Sequence, residues 1–195
     1  MTAPLPPPDL NSRDPLLVEV SKGAILHRFY TAAHDPIHFD RSELGRFNAP
    51  DRSFGVLYVA DDETGAFAET FLRTPGRTLI DRALLSRKAY VRLRATRALK
   101  LIRLAGPGLA RLGATAEVTH GGLPYDIPQT WSKALREHPA KADGIAYHSR
   151  HDDDELCHAV FGHVGSAIVE VRREIDLDRN WFWQLAERYG VGLAP

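Results

Sequence analysis

The sequence predicts a single α+β domain in which short strands and short helices are mixed. The chain has 195 residues, of which 44% are hydrophobic, and a chain of this size and composition can bury a substantial core. Stretches typical of strands and of helices follow one another without the regular alternation that builds a doubly wound parallel sheet. Neither an internal repeat nor a second linker divides the sequence, which favours one compact domain over residues 18–195.

The first 17 residues form a separate segment in this interpretation. They contain five prolines: Pro4, Pro6, Pro7, Pro8 and Pro15. Each proline restricts φ and lacks an amide donor, so such a segment is typical of an extended arm or a loose tail. We therefore expect residues 1–17 to precede the domain as a Pro-rich N-terminal arm.

The first half of the domain is predicted to contain strands over residues 24–30 and 56–60 and a helix over residues 63–73. The second strand reads VLYVA, and its β-branched and aromatic side chains suit a buried strand. Asp61 and Asp62 offer side-chain oxygens that can cap the helix. Phe67 and Phe71 are four residues apart and should pack inward.

The second half is predicted to contain strands over residues 90–95, 99–104, 144–147 and 167–171 and helices over residues 107–112, 127–137 and 180–189. The first two strands are expected to be neighbours with one solvent-exposed face, because polar and apolar residues alternate in the first of them. Asp126 is a candidate cap for the helix over 127–137, with Trp131 and Leu135 on its inward face.

Charge and hydropathy disfavour several classes of protein. Lys plus Arg and Asp plus Glu are equal at 25 each, so no excess of positive charge indicates direct nucleic-acid binding. No apolar run approaches the roughly 20 residues that cross a bilayer, and the start MTAPLPPPDL is unlike a secretory signal. The single cysteine, Cys157, cannot form an internal disulfide, so a reduced cytoplasmic protein without membrane contact is expected.

Familiar catalytic motifs do not occur in the sequence. A phosphate-binding loop, a G-x-G-x-x-G fingerprint, a G-x-S-x-G nucleophile elbow, H-E-x-x-H and C-x-x-C are all missing. Ser149 lies in the sequence YHSR, without the small flanking residues that a nucleophile elbow requires. These observations disfavour a serine hydrolase.

Residues 148–163 hold the densest group of potential metal ligands. These donors are His148, His151, Asp152, Asp153, Asp154, Glu155, His158 and His163. Their spacing is irregular, whereas zinc ligands on helices usually have a tight, defined spacing. We interpret the segment as a polar connection between a strand and a helix, with a zinc or manganese site as the alternative.

Five further residues could carry chemistry: Arg28, Arg46, Tyr58, Glu69 and Ser149. Each also has an ordinary structural explanation. Arg28 could be an ion-pair partner, Tyr58 a core residue and Ser149 a turn residue or helix cap. Glu69 lies opposite Phe67 and Phe71 on the predicted helix, so periodicity alone places it in solvent.

Taken in order, the blocks HRF, GRFN, VLYVADD, AFAETF and GIAYHSR resemble the RES domain family, which is named for its Arg, Glu and Ser. These three residues correspond here to Arg28, Glu69 and Ser149. The resemblance covers roughly residues 20–175. Two positions depart from the common pattern, because His27 replaces an aromatic residue and Phe47 replaces a tryptophan, and both keep a planar ring.

The resemblance implies a fold similar to that of ADP-ribosyltransferases and NAD+ as the substrate, with no metal. Members of the family are typically toxins whose partner is an Xre-like antitoxin. They cleave the bond between nicotinamide and ribose and pass ADP-ribose to phosphate, to water or to a protein. The implied catalytic residues are Arg28, Glu69 and Ser149, and the implied NAD+-binding residues are these three together with Arg46 and Tyr58.

The residue types suit this chemistry. Cleavage of an N-glycosidic bond passes through a transition state with positive charge on the sugar, which a carboxylate such as Glu69 stabilises. Arg28 and Arg46 would hold the pyrophosphate, and Tyr58 would lie near the nicotinamide. Ser149 would position a ribose hydroxyl or the nicotinamide amide. The departing nicotinamide is neutral and needs little help from a general acid.

Three alternatives remain open from the sequence: an ADP-ribosyltransferase that modifies a protein, an inactive interaction module and a metallohydrolase. The aromatic residues Trp181, Phe182 and Trp183 are expected to dock the last helix on the core. A self-association surface, as in a homodimer, or a surface for the antitoxin is the alternative role of these three residues.

Overall fold

The computed structural model describes residues 3–195. Its strands are β1 (Leu17–Val20), β2 (Ile25–Thr31), β3 (Val56–Ala60), β4 (Leu79–Ile80), β5 (Lys88–Ala95), β6 (Leu99–Arg103), β7 (Gly144–His148), β8 (Leu156–Phe161), β9 (Ile168–Glu174) and β10 (Gly192–Leu193). Its α-helices are α1 (Glu63–Phe71), α2 (Arg82–Ser86), α3 (Pro107–Leu112), α4 (Glu117–His120), α5 (Asp126–Glu137) and α6 (Asn180–Arg188). Two 3-10 helices cover Leu10–Ser12 and Gly162–Ala167.

Eight of these strands form one mixed sheet in the order β1-β6-β7-β8-β3-β2-β5-β9. Strands β6 and β7 are parallel, and every other neighbouring pair in this sheet is antiparallel. Strands β4 and β10 form a separate two-stranded parallel sheet. The prediction of a single α+β domain with mixed short elements is confirmed.

The sheet curls because two paired segments bend together. Residues 17–31 run antiparallel to residues 88–103, but the pairing of β1 with β6 and that of β2 with β5 are separated by short bends at residues 21–24 and 96–98. One buried cluster joins Leu26 and Leu93 with Leu99 and Leu101. The two halves of the sheet therefore share a hydrophobic core.

This bend corrects one prediction. Strands β5 and β6 were expected to be neighbours, but β5 pairs with β2 and β9, whereas β6 pairs with β1 and β7. The three residues between them carry the chain from one half of the curled sheet to the other. The polar and apolar alternation in β5 is nevertheless present, since Val91 and Leu93 are buried while Arg94 is exposed.

Most of the other predicted elements occur near their expected positions, with some differences at the ends. Asp62 caps α1 by accepting a hydrogen bond from the Gly65 amide at 2.9 Å. Asp126 is not a cap: it is the first residue of α5, and the preceding Tyr125 makes no side-chain capping bond. Six elements were not predicted: strands β1, β4, β8 and β10 and helices α2 and α4. Strand β8 was missed because a polar sequence precedes it, and the other five were missed because they are short.

The described part of the N-terminal arm lies on α5. The indole Nε1 of Trp131 donates to the carbonyl of Pro4 at 2.7 Å, and His138 Nε2 lies 3.1 Å from the carbonyl of Leu10. Leu10 itself is buried. These contacts attach the arm to α5 at Trp131 and to His138, the residue that follows this helix.

Helix α6 docks through the aromatic residues that the sequence singled out. Phe182 is fully buried, with ring centroids 5.5 Å from Phe67 and 5.2 Å from Phe71. Trp181 lies 5.0 Å from Tyr90 between ring centroids and donates its indole N–H to Glu174. The expected core role of this helix is confirmed.

Phe182→Ala should lower the free energy of unfolding by about 3–5 kcal/mol, because it removes a fully enclosed ring from this cluster. Urea unfolding at fixed pH would measure the change. Ile175→Ala is the matched control, since Ile175 is 71% exposed and its truncation should cost no more than about 0.5 kcal/mol. Equal effects of the two substitutions would contradict this account of the core.

Candidate active site

A cavity of about 430 Å³ lies where strands β2 and β3 separate. The two strands pair only at His27 and Ala60, although both continue for several residues beyond that point. Consecutive residues of β2, from His27 to Thr31, line the cavity together with Tyr58 of β3. This volume lies within the range of small-molecule sites, roughly 300–1,000 Å³.

Arg28 lies within this gap in the sheet. Its NH1 donates to the carbonyl of Tyr58 at 2.8 Å, a main-chain acceptor on the strand from which β2 has separated. Its Nε is buried and has no hydrogen-bond partner within residues 3–195. Burial lowers the pKa of Arg28 to about 10, an effect that the carboxylate of Asp40 partly offsets, so the side chain stays cationic at neutral pH.

Arg46 also lines the cavity and lies in the loop of residues 45–48. Its guanidinium carbon is 5.8 Å from the ring centroid of Tyr125 and 6.0 Å from that of Tyr147, distances that allow cation–π attraction. Arg46 is only 8% exposed, and its Nε and NH1 have no hydrogen-bond partner in the described part of the chain. Arg46 thus lines the cavity with two buried donors that are not used in the described part of the chain.

Tyr58 holds this loop in place with its hydroxyl. The hydroxyl donates to Asn48 Oδ1 at 2.9 Å and accepts from the amide of Phe47 at 2.8 Å. Burial raises the pKa of Tyr58, which keeps the hydroxyl protonated. Tyr58 also lines the cavity. Because its hydroxyl is already bonded to the loop, its ring is the part of the side chain that a ligand can contact.

Helix α5 and Asp40 complete the support of the loop. Gln129 donates from Nε2 to the carbonyls of Glu43 and Gly45, and Ser132 donates to the carbonyl of Phe47 at 2.6 Å. Asn48 Nδ2 donates to Asp40 at 2.9 Å. These supporting roles were not predicted from the sequence, where the only local signal is the Asn that ends the GRFN block.

Glu69 faces the cavity and is half-buried. The expectation from periodicity that it lies in solvent is wrong, because α1 has the aromatic core on one side and the cavity on another. One carboxylate oxygen accepts a hydrogen bond from Ser149 Oγ at 2.8 Å. Ser149 is fully buried after β7, and its Oγ also accepts from the amide of His151 at 3.2 Å.

The two positions that depart from the family pattern have different surroundings. His27 lies at one end of the cavity, where its Nδ1 is 2.5 Å from the hydroxyl of Tyr90 and 3.3 Å from the carboxylate of Glu63. Burial lowers the pKa of His27. Phe47 is fully buried and packs on Tyr147, with ring centroids 4.9 Å apart, so it supports the wall from behind.

The lining of the cavity carries more positive than negative charge. Its cations are Arg28, Arg46, Arg73 and Lys88, and its carboxylates are Asp40 and Glu69. Within residues 3–195, none of the four cations forms an ion pair with a carboxylate. Such a lining suits an anionic ligand.

The donor-rich segment 148–163 is dispersed in the structure. Residues 149–155 connect the antiparallel strands β7 and β8, which corrects the interpretation as a link between a strand and a helix, and the donors beyond them lie in β8 and in the 3-10 helix that follows it. His158 bonds to Asp61 at 2.6 Å, and His163 lies 3.5 Å from Asp143. Among residues 3–195, no three His, Cys, Asp or Glu side chains are grouped as metal ligands would be.

Glu155 lies beside the capped N-terminus of α1, and its carbonyl accepts from the amide of Ser149 at 2.9 Å. Burial raises the pKa of Glu155 to about 7, and the neighbouring carboxylates of Asp62 and Asp152 contribute to the rise. The guanidinium of Arg188, 3.8 Å away, opposes it. Ionisation of Glu155 therefore opposes folding.

We expect Glu155→Gln to gain stability relative to the wild type as the pH rises from 5 to 8. The stability that protonated Glu155 contributes is complete below its ordinary pKa of 4.5 and is lost as the pH passes about 7. The difference in unfolding free energy should change by roughly 2–3 kcal/mol, measured by urea unfolding at each pH. Glu187→Gln, at an exposed position of α6, is the control. A difference that stays constant with pH would refute the assignment.

Fold and site together define a small α+β protein with an acidic side chain and free guanidinium donors around one ligand-sized cavity. The chain belongs to the RES domain family, whose family model matches residues 24–182. Residues Arg28, Glu69 and Ser149 all lie within the matched segment.

A solved structure supports the same fold. The chain is similar to a protein in the crystal structure of the M. tuberculosis MbcT–MbcA toxin–antitoxin complex, with a TM-score of 0.68 and 15% sequence identity. The match covers 87% of this chain and 92% of that chain. At this identity the likeness shows the fold. A search of curated proteins found no match. No helix within residues 3–195 is long and apolar enough to cross a membrane.

Proposed function

We propose that this protein is an NAD+-consuming toxin of a toxin–antitoxin pair. It cleaves the bond between nicotinamide and ribose and passes ADP-ribose to phosphate or water. Membership of the RES family supports the proposal, as does the similarity in fold to a protein crystallised in a toxin–antitoxin complex.

The convergence of Arg28, Arg46 and Glu69 on one cavity is the observation that carries the proposal. These residues are up to 41 positions apart in the chain and belong to β2, a loop and α1. A dinucleotide needs cations for its pyrophosphate and, for loss of nicotinamide, a carboxylate near the ribose. The cavity offers both within a volume of about 430 Å³.

In the proposed reaction, the C–N bond between ribose and nicotinamide breaks and its electron pair leaves with nicotinamide, which becomes neutral. Positive charge develops on the ribose, as in the cleavage of glycosides. The carboxylate of Glu69 stabilises this charge, which is larger in the transition state than in bound NAD+. An oxygen of phosphate or water then bonds to the ribose carbon, and an attacking water releases one proton.

Ser149 acts in this scheme through Glu69. Its hydroxyl donates to the carboxylate at 2.8 Å, which orients one oxygen and leaves the other for a ribose hydroxyl. This role replaces a direct contact of Ser149 with the ribose or the nicotinamide amide. The ring of Tyr58 forms a flat wall for the nicotinamide end, since its hydroxyl is already bonded to the loop.

Arg28 and Arg46 bind the pyrophosphate in the same scheme. The Nε of Arg28 and the Nε and NH1 of Arg46 are donors without a partner within residues 3–195. Guanidinium donors match phosphate oxygens, and a guanidinium group keeps its charge near neutral pH. An antitoxin of the Xre-like class is the proposed partner, and it would inhibit the toxin by covering this cavity.

Glu69→Gln should lower kcat for NAD+ consumption at least about a hundredfold while changing KM far less, because it removes a charge that acts mainly in the transition state. Release of nicotinamide by purified protein, with and without phosphate, would measure this, and mass spectrometry would identify the ADP-ribose product. Glu19→Gln, at an exposed position of β1, is the control. A wild-type protein that releases no nicotinamide with any acceptor would overturn the proposal.

Expression without an antitoxin should deplete cellular NAD+ and stop growth, and Arg28→Ala should relieve both effects. The substitution removes a donor proposed to hold the pyrophosphate. Lys22→Ala is the control, because Lys22 is exposed between β1 and β2. Soluble protein levels and melting curves would establish that the variants are folded. Growth arrest that persists in a folded Arg28→Ala variant would contradict the mechanism.

A further inference from the structure

Two cations of the cavity, Arg73 and Lys88, have no part in the scheme above. Helix α1 runs along β2, from Glu63 beside His27 at one end of the cavity to Arg73 beyond its last turn. At that second end Lys88 is paired in register with Thr31. Arg73, Lys88 and Thr31 all line the cavity.

The polar contacts of these three side chains leave donors unused. Lys88 Nζ donates to Thr31 Oγ1 at 3.2 Å, which uses one of three ammonium protons and leaves the threonine hydroxyl proton free. Arg73 donates from Nε to the carbonyl of Glu69 at 2.7 Å, and its two terminal nitrogens form no hydrogen bond within residues 3–195. The contacts place an ammonium, a guanidinium and a hydroxyl at one end of the cavity.

Lys88 lies among positively charged side chains. Burial lowers the pKa of Lys88, and the guanidinium groups of Arg73, Arg28 and Arg87 lower it further. Neither Lys88 nor Arg73 forms an ion pair with a carboxylate in the described part of the chain. Cations held together in this way repel one another until an anion lies between them.

We infer that Arg73, Lys88 and Thr31 form a second anion subsite, which takes a doubly charged phosphate group, either inorganic phosphate or a phosphate monoester. The inference rests on the proposed function in one respect: Arg28 and Arg46 are assigned to the two singly charged phosphates of the pyrophosphate. The remaining ammonium and guanidinium then match the two charges of a terminal phosphate group, whose oxygens also accept from the threonine hydroxyl.

Two sources can supply this group. One is free inorganic phosphate, whose oxygen would bond to the ribose carbon as nicotinamide leaves with the electron pair of the broken bond. The other is the 2′-phosphate of NADP+, which would bind as part of the dinucleotide substrate. The chemistry at Lys88 is the same in both cases, and kinetics can distinguish them.

Binding of inorganic phosphate to the whole protein, without any dinucleotide, tests the subsite directly. Isothermal titration should show binding that weakens about tenfold in Lys88→Met, as expected for the loss of one charged hydrogen-bond donor. Arg73→Met, which alters the exposed end of α1, should weaken binding similarly. Lys22→Met is the matched control and should bind like the wild type. Melting curves would show that each variant is folded.

Steady-state kinetics then identify the source. If the group is free phosphate, Lys88→Met raises the KM for phosphate about tenfold. The same substitution changes the KM for NAD+ much less. If the group is a 2′-phosphate, the substitution raises KM for NADP+ about tenfold relative to that for NAD+. Either result supports the subsite.

Two results would overturn the inference. One is phosphate binding that is unchanged in both Lys88→Met and Arg73→Met, together with unchanged phosphate and NADP+ kinetics. The other is an equal rise of KM for NAD+ and NADP+ in Lys88→Met with no change in phosphate binding, which would assign these cations to the pyrophosphate. Failure of the proposed function is distinct: the wild type would consume neither dinucleotide, yet would still bind phosphate in a manner that depends on Lys88.

Discussion

The loss of pairing between β2 and β3 is the constraint on which the site depends. Two adjacent antiparallel strands normally exchange main-chain hydrogen bonds along their length, but here they do so only around His27 and Ala60. Beyond that point Arg28 supplies a donor to the carbonyl of Tyr58. The side chain thus satisfies a main-chain acceptor at the opening of the sheet and is held in the cavity by the same contact.

The position of α1 follows from the packing on its other side. Phe67 and Phe71 insert into the aromatic cluster around Phe182, and this fixes the rotation of the helix about its axis. Glu69 is then turned toward the opening of the sheet, where Ser149 donates to it. Periodicity along the helix places this position in solvent, but in the tertiary structure it lines a cavity to which Arg46 also contributes.

Several features of fold and site could be read from local sequence. The β-branched run VLYVA, the Asp62 cap and the four-residue spacing of Phe67 and Phe71 are short-range signals, and the elements they predict are present. Strand β8 was missed because its sequence, LCHAVF, follows an acidic segment that resembles a surface loop. The prediction that β5 and β6 are neighbours was wrong. The bend at residues 96–98 depends on the curl of the whole sheet, and the alternation of polar and apolar residues along one strand does not reveal that curl.

The sequence alone determined the mixed α+β class, the identity of the candidate side chains and the resemblance that the family match confirmed. Only the tertiary structure decided that Glu69 faces a cavity, that the Tyr58 hydroxyl is used to hold the Arg46 loop, and that Arg73 and Lys88 meet at one end. The physical reason is that local patterns specify which face of an element is apolar, whereas convergence of distant polar groups depends on how the elements pack. The cations of this cavity come from separate elements, and their mutual proximity has no signature along the chain.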